Sequence, residues 1–217
     1  NGSEIHSKIL NSAMFSMKEN EEWRFLNFFE NWNPDNFIES DWKEVKKDDK
    51  IYPPMAIKAI KKAFDLIKVG TAYNNLDKIV NAYKIGVTKF PKDIWLKREY
   101  ATLLARNNET EEAIKIYKNL VLEIGDQAYV WHEFALLFSM EEVDLSIGML
   151  SKAIKLQKDE NFLGSTRLDL AEKLIKKNKL EEALVELNKY QEYRTANNKN
   201  VSDKFNELAV FTKDIQT

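Results

Sequence analysis

The residues able to do chemistry are few. The 217-residue chain has two histidines, His6 and His132, and no cysteine. Without thiols there is no disulfide, no cysteine nucleophile and no cysteine-ligated zinc. His6 stands near the start of the chain, and His132 lies between Trp131 and Glu133 on an expected helix. A histidine without a second ligand near it cannot build an ordinary zinc site; its plainer role is a polar residue on a helix surface. The six glycines are scattered, so no phosphate-cradling loop is present, and Gly-x-Ser-x-Gly and His-Glu-x-x-His do not occur. The carboxylate pairs Glu111-Glu112, Glu141-Glu142 and Glu181-Glu182 stand where helices are expected to begin. Their placement against the helix dipole explains them without acid/base work. The expectation is a non-enzyme with no catalytic residue, no metal and no cofactor.

Charge gives no global direction to a partner. With 33 basic and 35 acidic residues the formal charge is -2, which argues neither for nucleic acid nor for an acidic membrane. Lysines cluster locally at Lys58, Lys61, Lys62 and Lys68, at Lys152, Lys155 and Lys158, and at Lys173, Lys176, Lys177 and Lys179. Such spacing on a helix usually marks its solvated face, and the alternative is a stripe that contacts phosphates. No apolar run approaches the ~18 residues of a membrane span. A cytoplasmic protein is expected, with oligomeric state open.

Low glycine and proline with abundant Lys, Glu, Leu and Ala favour helices throughout. The stretch Ile94–Arg106, a turn at Asn107-Asn108-Glu109, and Thr110–Glu123 read as two helices of one hairpin. The rest of the chain repeats this pair. In the second helix of each pair a face recurs: Ile79, Tyr83 and Gly86; Ala113, Tyr117 and Leu120; Ser146, Leu150 and Ala153; Ala183, Leu187 and Tyr190. Its first members are 34, 33 and 37 residues apart (79 to 113, 113 to 146, 146 to 183), which places an insertion around Asp159-Glu160-Asn161. The first helices align at Tyr100-Ala101 with Leu104, Phe134-Ala135 with Phe138, and Leu170-Ala171 with Leu174. A small residue recurs where two helices cross closely. Asp93, Thr110 and Asp126 are expected helix N-caps.

On these residues the chain resembles the tetratricopeptide repeat (TPR) family, whose period is about 34 residues. Trp131, Phe134, Ala135 and Phe138, together with Ala113, Tyr117 and Pro91, carry the match over about 60–193. The pair at 60–91 departs from the pattern, with Ile67 where a small residue is expected, and Gly125 and Asp159 stand where proline is typical. The resemblance implies an all-α fold, a right-handed array of about four antiparallel helical hairpins over 55–193. Residues 1–54 would form an aromatic-rich helical N-terminal cap and 194–217 a C-terminal capping helix.

The N-terminal part is read as one or two helices over 4–30, with Ile5, Ile9, Ala13, Phe15 and Met17 on an apolar face and a break at Lys18-Glu19-Asn20. A turn at Asn31–Asn36 is expected, then a charged surface loop at Lys43–Lys50 and a helix from about Met55 to Lys68 after Pro54. Trp23, Phe25, Phe28, Phe29, Trp32, Phe37 and Trp42 crowd together, either as a ligand-stacking platform or as aromatic side chains sealing the end of the stack. At the other end Arg194–Asn200 reads as a loop, and Ser202 caps a last helix through about Asp214, with Phe205, Leu208, Ala209 and Thr212 facing the last pair. Trp23–Phe29, Phe37, Asp41-Trp42 and Tyr52–Ala56 are similar to the N-terminal part of TPR proteins of bacterial TOTE conflict systems. That resemblance implies an adaptor in a nucleic-acid-directed defence system.

A TPR-like array presents its first helices on a concave face. The alignment places there Trp95, Arg98, Thr102 and Arg106 from the central pair, Tyr129, His132, Leu136 and Met140 from the third, and Leu168, Glu172, Ile175 and Lys176 from the last. Aromatics, Arg and Met suit recognition of a protein or peptide. Thr102 and Leu136 stand where family members that clamp a peptide's terminal carboxylate have Asn, so that clamp is not expected. The expected function is a non-catalytic protein-interaction scaffold; the alternative is a nucleic-acid-associated adaptor.

Overall fold

The computed structural model describes residues 2–16, 23–68 and 76–215. They form α1 (Glu4–Ser16), α2 (Trp23–Trp32), α3 (Met55–Lys68), α4 (Asp77–Lys89), α5 (Ile94–Arg106), α6 (Thr110–Ile124), α7 (Ala128–Ala135), α8 (Val143–Leu156), α9 (Gly164–Lys176), α10 (Leu180–Ala196) and α11 (Asp203–Ala209). One small hairpin, β1 (Val45–Lys47) and β2 (Lys50–Tyr52), lies between α2 and α3. The chain divides into two compact units, Asn1–Ile116 and Tyr117–Thr217.

In the first unit α1 packs on α2 and α3, α3 packs on α4, and α4 on α5. α1 turns Leu10, Ala13 and Met14 inward and leaves Ile5, Ile9 and Phe15 exposed. This corrects the expected face: among its described members, Ile5, Ile9, Ala13 and Phe15, Ala13 alone is buried. The buried set at i, i+3 and i+4 is a tighter helical stripe than the one expected. Met17 and the expected break at Lys18-Glu19-Asn20 lie outside the described residues, as does the side chain of Trp23. Of the aromatic cluster, Phe25, Phe29, Trp32 and Trp42 are buried, and Phe28 and Phe37 are half-buried. Phe25 and Phe29 stack at 5.6 Å, Trp32 meets Phe37 at 4.9 Å and Phe37 meets Trp42 at 5.2 Å. These rings pack against each other. Asn33 takes φ 63° before the 3-10 turn Pro34–Asn36. Buried Asp41 accepts hydrogen bonds from Ser7 Oγ at 2.8 Å and Ile38 N at 3.0 Å, which pins α1 to the loop after α2.

The expected loop at Lys43–Lys50 is instead largely the β hairpin. Val45 pairs with Tyr52, Lys46 with Ile51 and Lys47 with Lys50. Asp48 and Asp49 turn the chain with φ 48° and 58°, the doubly left-handed geometry of a tight hairpin turn. Neither residue is glycine or asparagine and each strand has three residues, so the usual signal is weak. α3 begins at Met55 as expected. In α4, a side chain on Gly86 would meet Leu96 at 3.2 Å and Ile60 at 3.3 Å; glycine there lets α4 approach both neighbours.

In the second unit α7 packs on α8, α8 on α9 and α9 on α10, and α11 with the 3-10 turn Val210–Ile215 closes against α9 and α10. Phe205, Leu208 and Thr212 are buried there. The repeat positions read from the sequence are buried in both units. Examples are Ile79, Tyr83 and Ala101 in the first, and Tyr117, Ala135, Leu150, Ala171, Ala183 and Tyr190 in the second.

Three helices end alike. Asn108, Asn178 and Asn198 have φ 64°, 57° and 51°. After α5, Glu109 N donates to Leu104 O and Asn108 N to Ala105 O; α9 and α10 repeat both bonds with Lys179 to Leu174, Asn178 to Ile175, Lys199 to Arg194 and Asn198 to Thr195. This is the Schellman arrangement, with asparagine in the left-handed position. α7 has no such asparagine and stops at Ala135. Leu136 and Met140, expected on that helix, therefore lie beyond its end. Ser146 Oγ of α8 donates to the Ala135 carbonyl at 2.8 Å and is fully buried. The alanines of the neighbouring repeats are thus replaced by serine where a helix end needs a donor.

Other ends differ by a residue or a turn. Gln127, not Asp126, precedes α7 as its cap, and Thr110 is the first residue of α6 rather than its cap. Asp93 and Ser202 do cap, accepting from Leu96 N and Phe205 N. α10 continues through Arg194 to Ala196, where a loop was expected, and the last α-helix ends at Ala209 before its 3-10 extension. The insertion is a 3-10 turn, Glu160–Phe162.

Candidate partner-binding faces

On α5, Trp95, Arg98, Thr102 and Arg106 form one row at helical spacing. Trp95 is 57% exposed, and the Arg98 guanidinium lies 4.5 Å from its ring centroid. Thr102 Oγ1 donates to the Arg98 carbonyl at 3.0 Å. Arg106 donates to the Ile67 carbonyl at 2.9 Å, closing the last turn of α3. Beside this row Glu99 accepts from the Tyr83 hydroxyl at 3.0 Å, with the Lys61 ammonium 3.9 Å away. Burial pushes the Glu99 carboxyl up, and the pull of Lys61 and Tyr83 does not offset it.

In the second unit Tyr129 and His132 are half-buried on α7, while Leu136 and Met140 are about half exposed past its end. Leu168 is a correction. It is 5% exposed and belongs to the core, because α9 enters after the inserted turn with Thr166, Arg167 and Leu168 all facing inward. Arg167 is held there by Glu160 at 2.8 Å and Glu186 at 2.5 Å. Ile175 is half-buried, and Glu172 and Lys176 pair with each other.

His132, Glu172 and Lys176 join a cluster whose other members the sequence reading missed. His132 Nε2 is 2.6 Å from Asp169 Oδ2, and Thr166 Oγ1 is 3.2 Å from its Nδ1. Lys204 of α11 reaches Asp169 Oδ1 at 2.6 Å and Glu172 Oε2 at 2.7 Å. Burial alone would raise the Asp169 and Glu172 carboxyls, but hydrogen bonds from His132 and Lys204, and from Lys176 and Lys204, hold them below their ordinary values. Burial would lower the Lys204 ammonium, and its two carboxylates outweigh that and raise it. The cluster ties α7, α9 and α11 together.

A signal for Asp169 was present in the repeat register. Glu99, Glu133 and Asp169 each precede the residue pair that marks the first helix. Glu99 accepts from Tyr83 and Glu133 from Tyr117, each at 3.0 Å. The third repeat has Leu150 where those tyrosines stand, and Asp169 pairs instead with His132 and Lys204.

Thr166, His132 and Asp169 have the order of a hydroxyl–imidazole–carboxylate relay. Thr166 is 4% exposed, so its hydroxyl has no open approach for a substrate, and nucleophilic catalysis is not supported. Among the described residues no group of three metal-ligating side chains is present, and no helix is long and apolar enough to cross a membrane. Several clustered lysines have partners within the chain: Lys61 with Glu99, Lys62 with the Met14 carbonyl, and Lys177 with Asp144.

Solved structures share this fold. "MamA RS-1 ArsTM double mutant" matches with a TM-score of 0.60 and 13% identity, covering 88% of this chain and 96% of that one. "MamA 41-end from Desulfovibrio magneticus RS-1" matches at 0.54 and 14%, covering 66% and 81%. These likenesses show the fold alone, a TPR-like array of helical hairpins. No curated protein matches the chain. A family model described as "Domain of unknown function (DUF7017)" matches residues 94–211.

Proposed function

Since the chain belongs to the DUF7017 family, whose description assigns no activity, we propose from its own residues that it is a non-catalytic scaffold binding a protein or peptide partner. The α5 row, Trp95 with Arg98, Thr102 and Arg106, is the proposed centre of binding in the first unit; in the second unit Tyr129, His132, Leu136, Met140, Glu172 and Lys176 are proposed separately as contact residues. The observation that carries this reading is Trp95, a large ring left 57% exposed with a guanidinium stacked on it. Aromatic and Arg side chains of this kind are the residues that dominate interface energetics. The TPR-like fold supports it, because such arrays commonly serve as binding surfaces.

The test is affinity capture from the source cell's lysate with the wild-type chain and the Trp95→Ala/Arg98→Ala variant as parallel baits. Loss of a discrete protein from the variant, with helicity retained, supports the face. A partner captured equally by both removes it. Recovery of nucleic acid alone, released at moderate salt, would move the assignment to the nucleic-acid-associated adaptor that the N-terminal resemblance implies.

A further inference from the structure

The β hairpin has no part in the reading above, and its local choices oppose one another. Every residue from Lys43 to Pro53 is exposed. The register places Val45, Lys47, Lys50 and Tyr52 on one face, since opposed residues share a face and alternate ones return to it. Lys47 and Lys50 are directly opposite each other, a like-charge pair that weakens a hairpin. Lys58 Nζ stands 5.4 Å from the Tyr52 ring centroid and adds a third cation to this face. The two strands carry no carboxylate; the carboxylates of this element are confined to its turn, Asp48 and Asp49, and to Glu44 before β1. Val45 is 56% exposed, and Asp48 and Asp49 both occupy the left-handed region. Two strands of three residues are marginal by themselves. Lysines on short edge strands guard against unwanted pairing, but that role does not account for Val45 and Tyr52 exposed among them. Departures from local preference that gather in one exposed element are expected where a surface has a use.

We propose that this hairpin docks an extended acidic peptide segment of a partner protein, added as a third strand, with a carboxylate and an apolar side chain two positions apart. The carboxylate would lie against Lys47, Lys50 and Lys58, relieving their mutual repulsion. The apolar side chain would cover Val45 and Tyr52. The edges suit it, because among the described residues the sheet has two strands only, leaving backbone groups for strand addition. A peptide fits better than a nucleic acid, because a phosphate backbone has acceptors but no alternating donors to continue a β ladder, and no apolar group to cover Val45. The proposal does not depend on the α5 row.

The experiment is fluorescence anisotropy of the full chain with a labelled peptide of repeated Glu-Thr-Val-Thr, its Lys-for-Glu counterpart, an N-methylated copy that cannot pair as a strand, and single-stranded oligo-dT. The acidic peptide is expected to bind, and Lys47→Glu/Lys50→Glu to weaken it at least about tenfold, with an unchanged circular dichroism spectrum. N-methylation should abolish binding, and Trp95→Ala should leave it intact. Equal binding of the acidic and basic peptides, no binding of the acidic one, or indifference to the charge reversal would overturn the proposal. So would oligo-dT binding more tightly than the acidic peptide, which would assign the face to nucleic acid. Because Trp95→Ala is read separately, failure here leaves the scaffold reading standing, and the reverse holds.

Discussion

Ser146 and Asp169 show how single positions in a repeat are reassigned when a neighbour changes. The buried Ser146 hydroxyl serves the Ala135 carbonyl because α7 ends without a left-handed asparagine. Ser146→Ala should lower stability by about 1–2 kcal/mol in urea unfolding, the cost of leaving a buried acceptor unpaired; an unchanged midpoint would show that the carbonyl finds another donor. Asp169 and Lys204 make stability depend on pH in a defined way. The folded Asp169 carboxyl titrates below its unfolded value, so its contribution is complete above about pH 4 and is lost as pH falls through the folded value. The folded Lys204 ammonium titrates above its unfolded value, so its contribution is complete below about pH 10 and is lost as pH rises through the folded value. The stability difference between wild type and Lys204→Met should therefore be flat in the middle of the range and shrink at both ends. A difference that is the same at acid, neutral and alkaline pH would refute the tie.

At the scale of elements, helix ends decide the architecture. α5, α9 and α10 stop at asparagines that supply the left-handed residue of a Schellman turn. Asn178→Val should destabilise by about 1–2 kcal/mol, because a β-branched residue resists that conformation. Asn178→Gly should be neutral or mildly stabilising. If both behave alike in thermal unfolding, the turn does not depend on its backbone angle. Gly148 is the opposite case. It lies inside α8 with nothing within 4 Å of where a side chain would begin. Gly148→Ala should raise stability by about 1 kcal/mol, read as a higher urea midpoint at unchanged slope.

For the whole molecule, binding and folding should separate by exposure. Trp95 is an exposed ring, so Trp95→Ala should change unfolding free energy by no more than about 0.5 kcal/mol. The same variant should weaken the proposed partner by about tenfold or more. A large fall in melting temperature with intact binding would reverse the roles and make Trp95 part of the fold.

The repeat was legible in the sequence because burial repeats with it. Ile79, Tyr83, Ala113, Tyr117, Ser146, Leu150, Ala183 and Leu187 stood out by type and spacing, and each is buried. Helical periodicity and small residues at crossings are local properties of a chain, so sequence alone determined an all-α array of hairpins, its period and its insertion. The tertiary structure decided what depends on the neighbour across a contact. Leu168 looked available for binding until the turn at Glu160–Phe162 placed the start of α9 inward. Lys43–Lys50 read as a loop because its strands are short and its turn lacks the usual residues, and only the pairing reveals the hairpin. His132 looked alone because Asp169 and Lys204 are 37 and 72 positions away in the chain. Asp169 shares the register of Glu99 and Glu133, but nothing local to the chain matches it to His132 and Lys204, and only folding brings their charges within hydrogen-bond reach.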